Sequence, residues 1–325
     1  MEYPKVSFVI CTYNAKDLVK RCLDSIFEQN YPKNKFEVIC VDGGSKDGTL
    51  DLLKRYKVKI IHNKKRFPEG RGMGKAQGVK KAKGEIIAFV DQDNKLIGKS
   101  WLKEMVYPLM KDKEIFGVAC KLYINKNDNI TNRYLSYVGT DPFAIYRSIE
   151  GRMALNRIKL KDNGKYYTYN VTLENCLCTG GNVFLIRKNL LNKINGYVQD
   201  VEMIYSLCLL GINKLAIPKD AFTHHLTVNS FREFLKKRWM WVKHYSFKNR
   251  FKRNYSWLPR TFNEFIIFSL FIISNLIIVP NIIDALRKLI KTKNDSWLLH
   301  PIAMFLITLM YILIGSISFI KDHNF

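Results

Sequence analysis

The chain has 325 residues, which is enough for one large domain or two modest ones. Lys and Arg number 53 against 28 Asp and Glu, and the net charge of +25 favours anionic partners such as nucleic acid, acidic lipid headgroups or phosphorylated substrates. The seven cysteines are an odd number without zinc-type pairing, which argues against a complete disulfide framework and favours reduced thiols in a cytosolic compartment.

The first hundred residues alternate between strand and helix patterns. Strands are predicted at residues 6–11, 36–41, 58–62 and 85–90, and helices at residues 18–28, 49–56 and 72–83. Met1–Lys5 leads straight into the first strand, so no cleavable signal peptide is expected. Strands separated by helices pair in parallel through right-handed crossovers. The order therefore predicts an α/β fold with a doubly wound, Rossmann-like sheet.

Two carboxylates follow the fourth predicted strand directly. Asp91 and Asp93 come after an apolar run that reads as a buried strand. In an open α/β sheet, ligands bind outside the carboxyl ends of the strands. Two clustered carboxylates are costly unless something positive lies between them. A divalent cation carrying a diphosphate is one natural partner, because hard cations take oxygen ligands.

Two long apolar segments distinguish the C-terminal quarter. Residues 265–283 and 297–320 contain no Asp, Glu, Lys or Arg, and each is about long enough to span a bilayer core of ~30 Å. Asn275 and Pro280 are expected to kink the first of them. The sequence therefore predicts two transmembrane helices joined by a short connector at residues 284–296. The alternative is a pair of buried core helices.

Basic residues around these segments predict the topology. Two spans would place both ends of the chain on one side of the membrane. Six basic residues precede the first span, at Lys243, Lys248, Arg250, Lys252, Arg253 and Arg260. The connector carries four, at Arg287, Lys288, Lys291 and Lys293. The positive-inside rule then predicts a multi-pass protein of the cell membrane with its large N-terminal domain in the cytoplasm, against the weaker pull of the connector.

Several short segments, taken in order, carry a family resemblance. They are Val6–Asn14, Val38–Thr49, Ala82–Asp93, Thr179–Asn182, Gln199–Glu202 and the pair His224-His225. In order and spacing the chain resembles family 2 glycosyltransferases of the GT-A fold through roughly residue 245. The resemblance implies a mixed, mainly parallel sheet with flanking helices. It also implies an inverting transferase that moves a sugar from a nucleotide diphosphate sugar to an acceptor.

The resemblance and the apolar pattern together divide the chain into three parts. Residues 1–227 are predicted to form the GT-A domain, and residues 228–260 a basic and aromatic helical region in the membrane interface. Residues 261–325 are predicted to hold the two transmembrane helices and their basic connector. The expected partners are a nucleotide diphosphate sugar, a lipid-linked or membrane-associated glycan and membrane lipids.

Donor-binding residues are implied at the ends of the first strands and in a Gly-rich stretch. The implied contacts are Thr12, Tyr13, Asn14, Asp42, Arg71, Lys75 and Asp91. Thr12, Tyr13 and Asn14 would cradle the nucleoside. Asp42 would hydrogen-bond the base or ribose, as acidic residues do at strand ends in other nucleotide folds. Its alternative role is that of a turn residue before two glycines.

A metal site is implied beside the diphosphate. Asp91 and Asp93 would hold Mg²⁺ or Mn²⁺, which stabilises the leaving nucleotide as charge develops on its oxygen. The family often adds a histidine from a later segment, and His224 and His225 stand at that place. His225 is slightly favoured by its position, and His224 stays open as the alternative.

Asp200 is the implied general base. The family usually has an acidic pair here, of which this chain keeps the second member and replaces the first by Gln199. A Gln cannot raise the pKa of a neighbouring carboxyl by charge repulsion. The alternative role for Asp200 is a helix N-cap.

Acceptor contacts are implied in two segments. Gly180, Gly181 and Asn182 belong to a loop whose small residues leave room for a sugar. Arg238 and Trp239 lie in a basic and aromatic helix, where processive polysaccharide synthases carry a related block. Those synthases have Gln where this chain has Leu235, which weighs against processive synthesis.

The function predicted from these residues is sugar transfer to a membrane-associated acceptor. A base suits a hydroxyl acceptor on a lipid-linked glycan, because a polyprenyl phosphate is already anionic and needs none. A polyprenyl-phosphate sugar synthase and a processive polysaccharide synthase remain alternatives. A sugar-phosphate nucleotidyltransferase is the alternative from another class. No recognisable nucleic-acid-binding module appears, so nucleic acid is not an expected partner.

Overall fold

A computed structural model describes residues 2–63, 71–139, 160–173, 182–197, 200–243, 254–255, 259 and 261–323, without the side chains of 71–73 and 319–323. The chain forms two compact units. The sheet unit comprises Met1–Tyr123 and Lys159–His225, and the helical unit comprises Ile124–Ile158 and Leu226–Phe325. The helical unit thus takes a segment from the middle of the chain. The domain limits predicted at residues 227 and 260 stay predictions.

The first four strands of the sheet unit begin within one residue of the predicted positions, and the other eight described strands were not predicted. The strands are β1 Val6–Thr12, β2 Phe36–Asp42, β3 Lys59–His62, β4 Ile86–Phe89, β5 Asn94–Ile97, β6 Gly117–Ala119, β7 Lys121–Leu122, β8 Lys161–Asp162, β9 Tyr166–Asn170, β10 Phe184–Arg187, β11 Lys214–Pro218 and β12 Phe222–His225. Its helices are α1 Lys16–Phe27, α2 Thr49–Leu53, α3 Arg71–Lys81, α4 Trp101–Lys111, α6 Lys188–Lys193 and α7 Asp200–Leu209.

The main sheet runs in the order β3-β2-β1-β4-β10-β6-β11-β9-β8. Strands β3, β2, β1 and β4 pair in parallel, as the alternation of strands and helices predicts. From β10 onward the sheet is mixed, because β10 pairs antiparallel with both β4 and β6. Three short strands, β5, β12 and β7, form a second sheet. The predicted mixed α/β architecture is confirmed, with its parallel part confined mainly to the first half.

Helix α3 lies unusually close to β1. A Cβ at Gly78 would lie 2.4 Å from Val9 Cγ1, and one at Gly74 would lie 2.7 Å from Cys11 Sγ. Both glycines are therefore needed for the approach of the helix to the strand. Strand β1 is buried on both faces, which explains its continuous apolar sequence. The tight packing brings Lys75, next to Gly74, to the carboxyl end of the sheet.

The helical unit contains five helices in its described residues and a short 3-10 helix at Asp295–Leu299. The helices are α5 Ile130–Val138, α8 Phe231–Trp241, α9 Phe262–Ile277, α10 Val279–Thr292 and α11 His300–His323. Its core is aromatic and aliphatic, and it includes Tyr134, Phe234 and Trp297.

The first predicted span does not form one helix. Helix α9 ends at Ile277 and α10 begins at Val279, with an angle of 80° between them. Ile278 has a φ of 68°, a conformation that β-branched residues rarely adopt. Pro280 stands in the first turn of α10, where its missing N–H costs nothing. The expected kink is therefore a complete break, and residues 265–283 do not form one continuous helix.

The predicted connector is also helical over much of its length, since α10 continues to Thr292. Among the described residues, one helical stretch, Asp295–Ser318, is long and apolar enough to cross a membrane. The α9–α10 pair would qualify as a second crossing only if the two bent helices acted as one broken span. The multi-pass prediction is thus not supported.

Candidate active site

The carboxyl ends of β1 and β2 bring the first predicted residues together. Thr12 and Asp42 are the last residues of these strands and are paired in register. The Thr12 hydroxyl donates to Asp42 Oδ1 over 3.1 Å. Both side chains are buried, and Asp91 follows the neighbouring strand β4 after one intervening residue. This edge of the sheet is where ligands bind in open α/β folds.

Asp42 organises the turn that follows β2. Its Oδ2 accepts the backbone N–H groups of Gly44 and Ser45 over 2.8 and 2.9 Å, and its Oδ1 accepts the Ser45 hydroxyl over 2.5 Å. The side chain is fully buried. A direct contact with a base or ribose would compete with these bonds. The geometry fits the turn role that the sequence left open, and the nucleoside contact stays a prediction.

Tyr13 and Asn14 are tied to neighbouring loops through their backbones. The Tyr13 N–H donates to Gln92 Oε1 over 2.8 Å, which joins the end of β1 to the loop between Asp91 and Asp93. The Asn14 N–H donates to the Ser45 hydroxyl over 3.0 Å. Tyr13 is 36% exposed, and its predicted contact with the nucleoside stays a prediction. These bonds hold the strand ends in a rigid frame.

Asn182 supports the loop that carries Asp91. Its Oδ1 accepts the Asp91 N–H over 3.1 Å and the Asn94 side-chain amide over 2.7 Å. Asn94 in turn donates to the Asp91 carbonyl over 3.0 Å. The structure thus shows Asn182 as a brace behind the carboxylates, whereas its predicted contact with an acceptor sugar stays a prediction.

Lys75 lies between two of the predicted functional carboxylates. Its Nζ is 3.1 Å from Asp91 Oδ1 and 3.7 Å from Asp200 Oδ1. The Lys75 side chain is fully buried, and its ammonium lies 5.9 Å from the centre of the Phe89 ring. Burying a charge is costly unless it is paired. The ammonium therefore binds Asp91 and Asp200 into one cluster.

Asp200 begins helix α7, and a tyrosine that the sequence analysis missed holds it. The Tyr197 hydroxyl donates to Asp200 Oδ1. Burial and the nearby Asp200 carboxylate raise the pKa of Tyr197 well above its usual range, so the hydroxyl keeps its proton and stays a donor. The Tyr197 ring packs on Phe89 with centroids 4.9 Å apart. Among the described residues, both contacts of the Asp200 carboxylate fall on Oδ1, and the side chain is 26% exposed.

The two adjacent histidines point to different partners. His225 Nε2 lies 3.2 Å from Asp93 Oδ1, whereas His224 Nδ1 lies 3.3 Å from an Arg21 guanidinium nitrogen. Successive side chains of a strand point to opposite faces, and both residues belong to β12. The pairing of β12 with β5 places His225 opposite Asn94. Asn94 directly follows residues 91–93, the aspartate loop, which lies between β4 and β5. The structure brings His225, and not His224, to Asp93.

The donor atoms at this place fit a divalent cation that shares its coordination with a diphosphate. Asp93 offers a carboxylate oxygen and His225 an imidazole nitrogen, and Asp91 lies on the same loop with Lys75 beside it. Mg²⁺ typically takes one or two protein carboxylates and completes its shell with phosphate oxygens and water. Within the described ranges, no group of three His, Cys, Asp or Glu side chains lies so that it could hold a metal ion. The metal role of Asp91, Asp93 and His225 therefore stays a prediction.

The remaining predicted site residues either lie outside the described part of the chain or belong to the helical unit. Gly180, Gly181 and Gln199 lie outside the described residues, as does the side chain of Arg71. Arg238 and Trp239 belong to helix α8 of the helical unit. Arg238 is buried and its guanidinium lies 5.7 Å from the centre of the Trp241 ring, whereas Trp239 is 39% exposed.

Three further residues enter the site without having been predicted. They are Tyr197, Gln92 and Arg21, which contact Asp200, Tyr13 and His224 respectively. Tyr197 and Gln92 stand within three residues of predicted site residues, and that proximity was the available signal. Arg21 is separated from His224 by 203 positions, so no local pattern connects them.

Comparison with known families agrees with this geometry. The model of the family Glycosyl transferase family 2 matches residues 7–194, more than half of the chain. The chain belongs to glycosyltransferase family 2. The matched range includes the carboxyl ends of β1 and β2, the aspartate loop and strand β10. The family predicted from the sequence motifs is confirmed.

Curated relatives share part of the family domain. The chain is 40% identical over 103 residues to a poly(ribitol-phosphate) beta-glucosyltransferase of Bacillus spizizenii, which covers 30% of this chain and 16% of that protein. It is 31% identical over 132 residues to the Escherichia coli enzyme UDP-Glc:alpha-D-GlcNAc-diphosphoundecaprenol beta-1,3-glucosyltransferase WfaP, which covers 40% of this chain and 51% of WfaP. Each match spans less than two thirds of the relative's own length.

A solved structure shares the fold over nearly the full chain. It is the mannosyltransferase PcManGT from Pyrobaculum calidifontis in complex with GDP-Man and Mn²⁺, with a TM-score of 0.61. The match covers 99% of this chain and 89% of PcManGT at 17% sequence identity. At this identity the likeness establishes the glycosyltransferase fold.

Proposed function

We propose that this family 2 glycosyltransferase is an inverting, metal-dependent enzyme that transfers a sugar from a nucleotide diphosphate sugar to a hydroxyl of a lipid-linked glycan. The observation that carries the proposal is the convergence of Asp91, Lys75 and Asp200 at the carboxyl edge of the sheet. This arrangement supports a donor-side role for Asp91 and an acceptor-side role for Asp200, on either side of one buried ammonium.

The donor side is formed by the ends of β1 and β4. Tyr13 exposes part of its ring, which suits stacking on a nucleotide base. Asp93 and His225 would hold the cation against the diphosphate. When bound, the cation neutralises the charge that develops on the departing diphosphate oxygen. Lys75 contributes a further positive charge near the same carboxylates.

The acceptor side is formed by Asp200. In an inverting transfer, the acceptor oxygen attacks the anomeric carbon while the bond from that carbon to the diphosphate oxygen breaks. The acceptor proton must then leave, and a positioned carboxylate can take it. Tyr197 and Lys75 both contact Oδ1 of Asp200. We therefore assign the acceptor proton to Oδ2, while the two contacts on Oδ1 fix the orientation of the carboxylate.

Two observations support the proposed acceptor: the positive net charge of the chain and the acceptors that the relatives' names state. WfaP carries a diphosphoundecaprenol acceptor in its name, and the Bacillus relative acts on a phosphate-containing polymer by its name. A net charge of +25 suits an acceptor that bears phosphate and a membrane surface that bears acidic lipids. We place the sheet unit in the cytoplasm, attached to the cell membrane through the apolar stretch Asp295–Ser318.

The test is donor turnover by the full-length protein in proteoliposomes. A panel of nucleotide sugars is supplied with Mn²⁺ and a lipid extract, and release of the nucleotide diphosphate is measured. We expect one donor to be consumed, with loss of release after chelation and recovery when Mn²⁺ is restored. Formation of a nucleotide sugar from a nucleoside triphosphate and a sugar phosphate, without donor consumption, would identify a nucleotidyltransferase instead.

The two histidines supply a matched test of the cation site. His225→Asn should raise the Mn²⁺ concentration needed for half-maximal transfer by about 10-fold or more, since loss even of partners around metal ligands costs about 10–100-fold. His224→Asn should leave that concentration near the wild-type value, because His224 faces Arg21. Both side chains are buried in the same strand, so thermal unfolding serves as the control for folding. An equal shift in both variants would contradict the assignment of His225.

A further inference from the structure

Helix α10 has a stripe of exposed apolar side chains along one face. The stripe comprises Val279, Ile282, Ile283, Leu286 and Ile290, each at least 42% exposed. These positions share one face because residues three and four apart are neighbours on a helix. The opposite side is covered, since Asn281 and Ala285 are buried and Leu289 packs on the core of the helical unit. An exposed stripe of this size marks a contact surface.

Basic residues border the stripe. Arg287 and Lys291 are exposed on the same helix, adjacent in angle to the apolar face. A helix with one apolar face and one basic face lies in the plane of a membrane, with its apolar side in the acyl boundary and its cations at the headgroups. The charge of α10 thus complements an anionic lipid surface.

The bend before α10 is held by buried polar contacts. The Asn275 amide donates to the Thr308 hydroxyl over 3.0 Å, and the Asn281 amide donates to Asn275 Oδ1 over 3.1 Å. All three side chains are buried. Straightening the pair would leave these buried polar groups without partners, which is unfavourable. The network therefore joins α9, α10 and α11 in the bent arrangement and opposes straightening of the pair.

Neither helix of the bent pair reaches across a bilayer alone. Helix α9 has 16 residues and α10 has 14, which correspond to about 24 Å and about 21 Å at 1.5 Å per residue. The hydrocarbon core is about 30 Å thick. At an angle of 80°, α10 adds little length along the axis of α9.

The start of α11 contacts helix α5, which follows the first segment of the sheet unit in the chain. Arg133 of α5 pairs with Asp295 over 2.6 Å, and the Tyr134 hydroxyl lies 2.8 Å from His300 Nδ1. Helix α5 begins at Ile130, seven residues after Tyr123, where the first segment of the sheet unit ends. Seven residues extend at most about 25 Å, less than the bilayer core of ~30 Å. Helix α5 and the start of α11 therefore lie on the same side of the membrane as the sheet unit.

We infer that α9 and α10 form a re-entrant pair, with α10 in the plane of an anionic bilayer and its apolar stripe against the lipid, so that α11 is the single crossing. The distribution of basic residues agrees. Arg287, Lys288, Lys291 and Lys293 precede α11 and stay on the side of the sheet unit. A two-crossing hairpin would put those four on the opposite side, against the positive-inside rule.

The inference rests on the proposed membrane attachment but not on glycosyl transfer, and its test reads topology. The full chain is fused after Phe325 either to alkaline phosphatase, which is active only outside the cytoplasm of a bacterial host, or to green fluorescent protein, which fluoresces only inside. We expect active phosphatase and no fluorescence, with the chain resistant to a carbonate wash. Fluorescence without phosphatase activity, in a chain that stays in the membrane, would overturn the single crossing.

A second measurement reads the lipid contact of the stripe. A photoreactive benzoyl-phenylalanine replaces Ile290 in the full chain, which is reconstituted with radiolabelled phosphatidylglycerol and illuminated. Leu210, an apolar residue of similar type that is 54% exposed on the sheet unit, carries the probe in the control. We expect lipid to label the chain through position 290 and not through position 210. Equal labelling at both positions, or none at 290, would overturn the placement of α10.

Discussion

Replacement of Asp200 by Asn is expected to lower kcat by about 10²–10⁴-fold, the usual cost of losing a general base. The base acts on the acceptor proton in the transition state, so binding of the nucleotide sugar should stay near the wild-type value. Asn keeps the size of Asp and caps a helix nearly as well, and Lys75 keeps its ion pair with Asp91. Single-turnover transfer and donor binding by calorimetry, measured on the same preparation, separate the two effects.

Two matched variants sharpen this experiment. Glu202→Gln changes a buried carboxylate two positions along the same helix and should keep most of the activity. Tyr197→Phe removes the hydroxyl that orients Asp200 and should lower kcat less than loss of the carboxylate does. Normal transfer by Asp200→Asn together with a large loss in Glu202→Gln would move the base to Glu202. Normal transfer by both would indicate an acceptor that needs no base, such as a polyprenyl phosphate.

Replacement of Asp93 by Asn is expected to lower transfer by about 10²-fold or more, because a metal ion supplies several kcal/mol of charge stabilisation in the transition state. It should also weaken donor binding when Mn²⁺ is present and leave binding without Mn²⁺ largely unchanged. Asp93 suits this test better than Asp91, since its partner is His225, whereas Asp91 holds the buried Lys75. The measurement is donor affinity with and without Mn²⁺.

The control for Asp93 is Asp220→Asn, an exposed carboxylate of the same unit that stands between β11 and β12. It changes the net charge by the same amount and should leave both affinity and turnover near wild type. If Asp93→Asn keeps the gain in affinity that Mn²⁺ produces, while the protein unfolds at the normal temperature, the cation does not bind at Asp93. Asp91 would then be the carboxylate to test next.

Local patterns predicted the first half of the sheet closely. The predicted strand at 36–41 is β2 with one added residue, and the predicted helix at 72–83 is α3, which spans Arg71–Lys81. Apolar periodicity and crossover rules act over short stretches of chain, so the sequence carries that information directly. The motif residues Thr12, Asp42 and Asp91 also came to one edge, because parallel strands end together.

The pairing of strands that are far apart in the chain could not be predicted from the sequence. Strand β10 enters antiparallel beside β4, and no local signal gives the direction of a strand that pairs with one about a hundred residues away. The separation of His224 from His225 depends on the pairing of β12 with β5, which sets the face that each side chain takes. The sequence could name both histidines but could not choose between them by geometry.

In the C-terminal apolar region, too, the sequence located the segments and the tertiary structure decided how they are arranged. Composition alone located two apolar segments and a kink near Asn275 and Pro280. Only the packing of α9, α10 and α11 around the Asn275, Asn281 and Thr308 contacts turned that kink into an 80° break. Hydropathy counts residues along the chain, whereas the direction of a helix after a break depends on what its side chains meet.

The sequence by itself determined the family, the parallel strands and the set of charged residues at their ends. The tertiary structure alone decided which of those residues lie together: Lys75 with Asp91 and Asp200, and His225 with Asp93. The physical reason is that a motif specifies chemistry within a few residues of chain. The neighbours of a side chain across the sheet follow from register and packing, which no short segment contains.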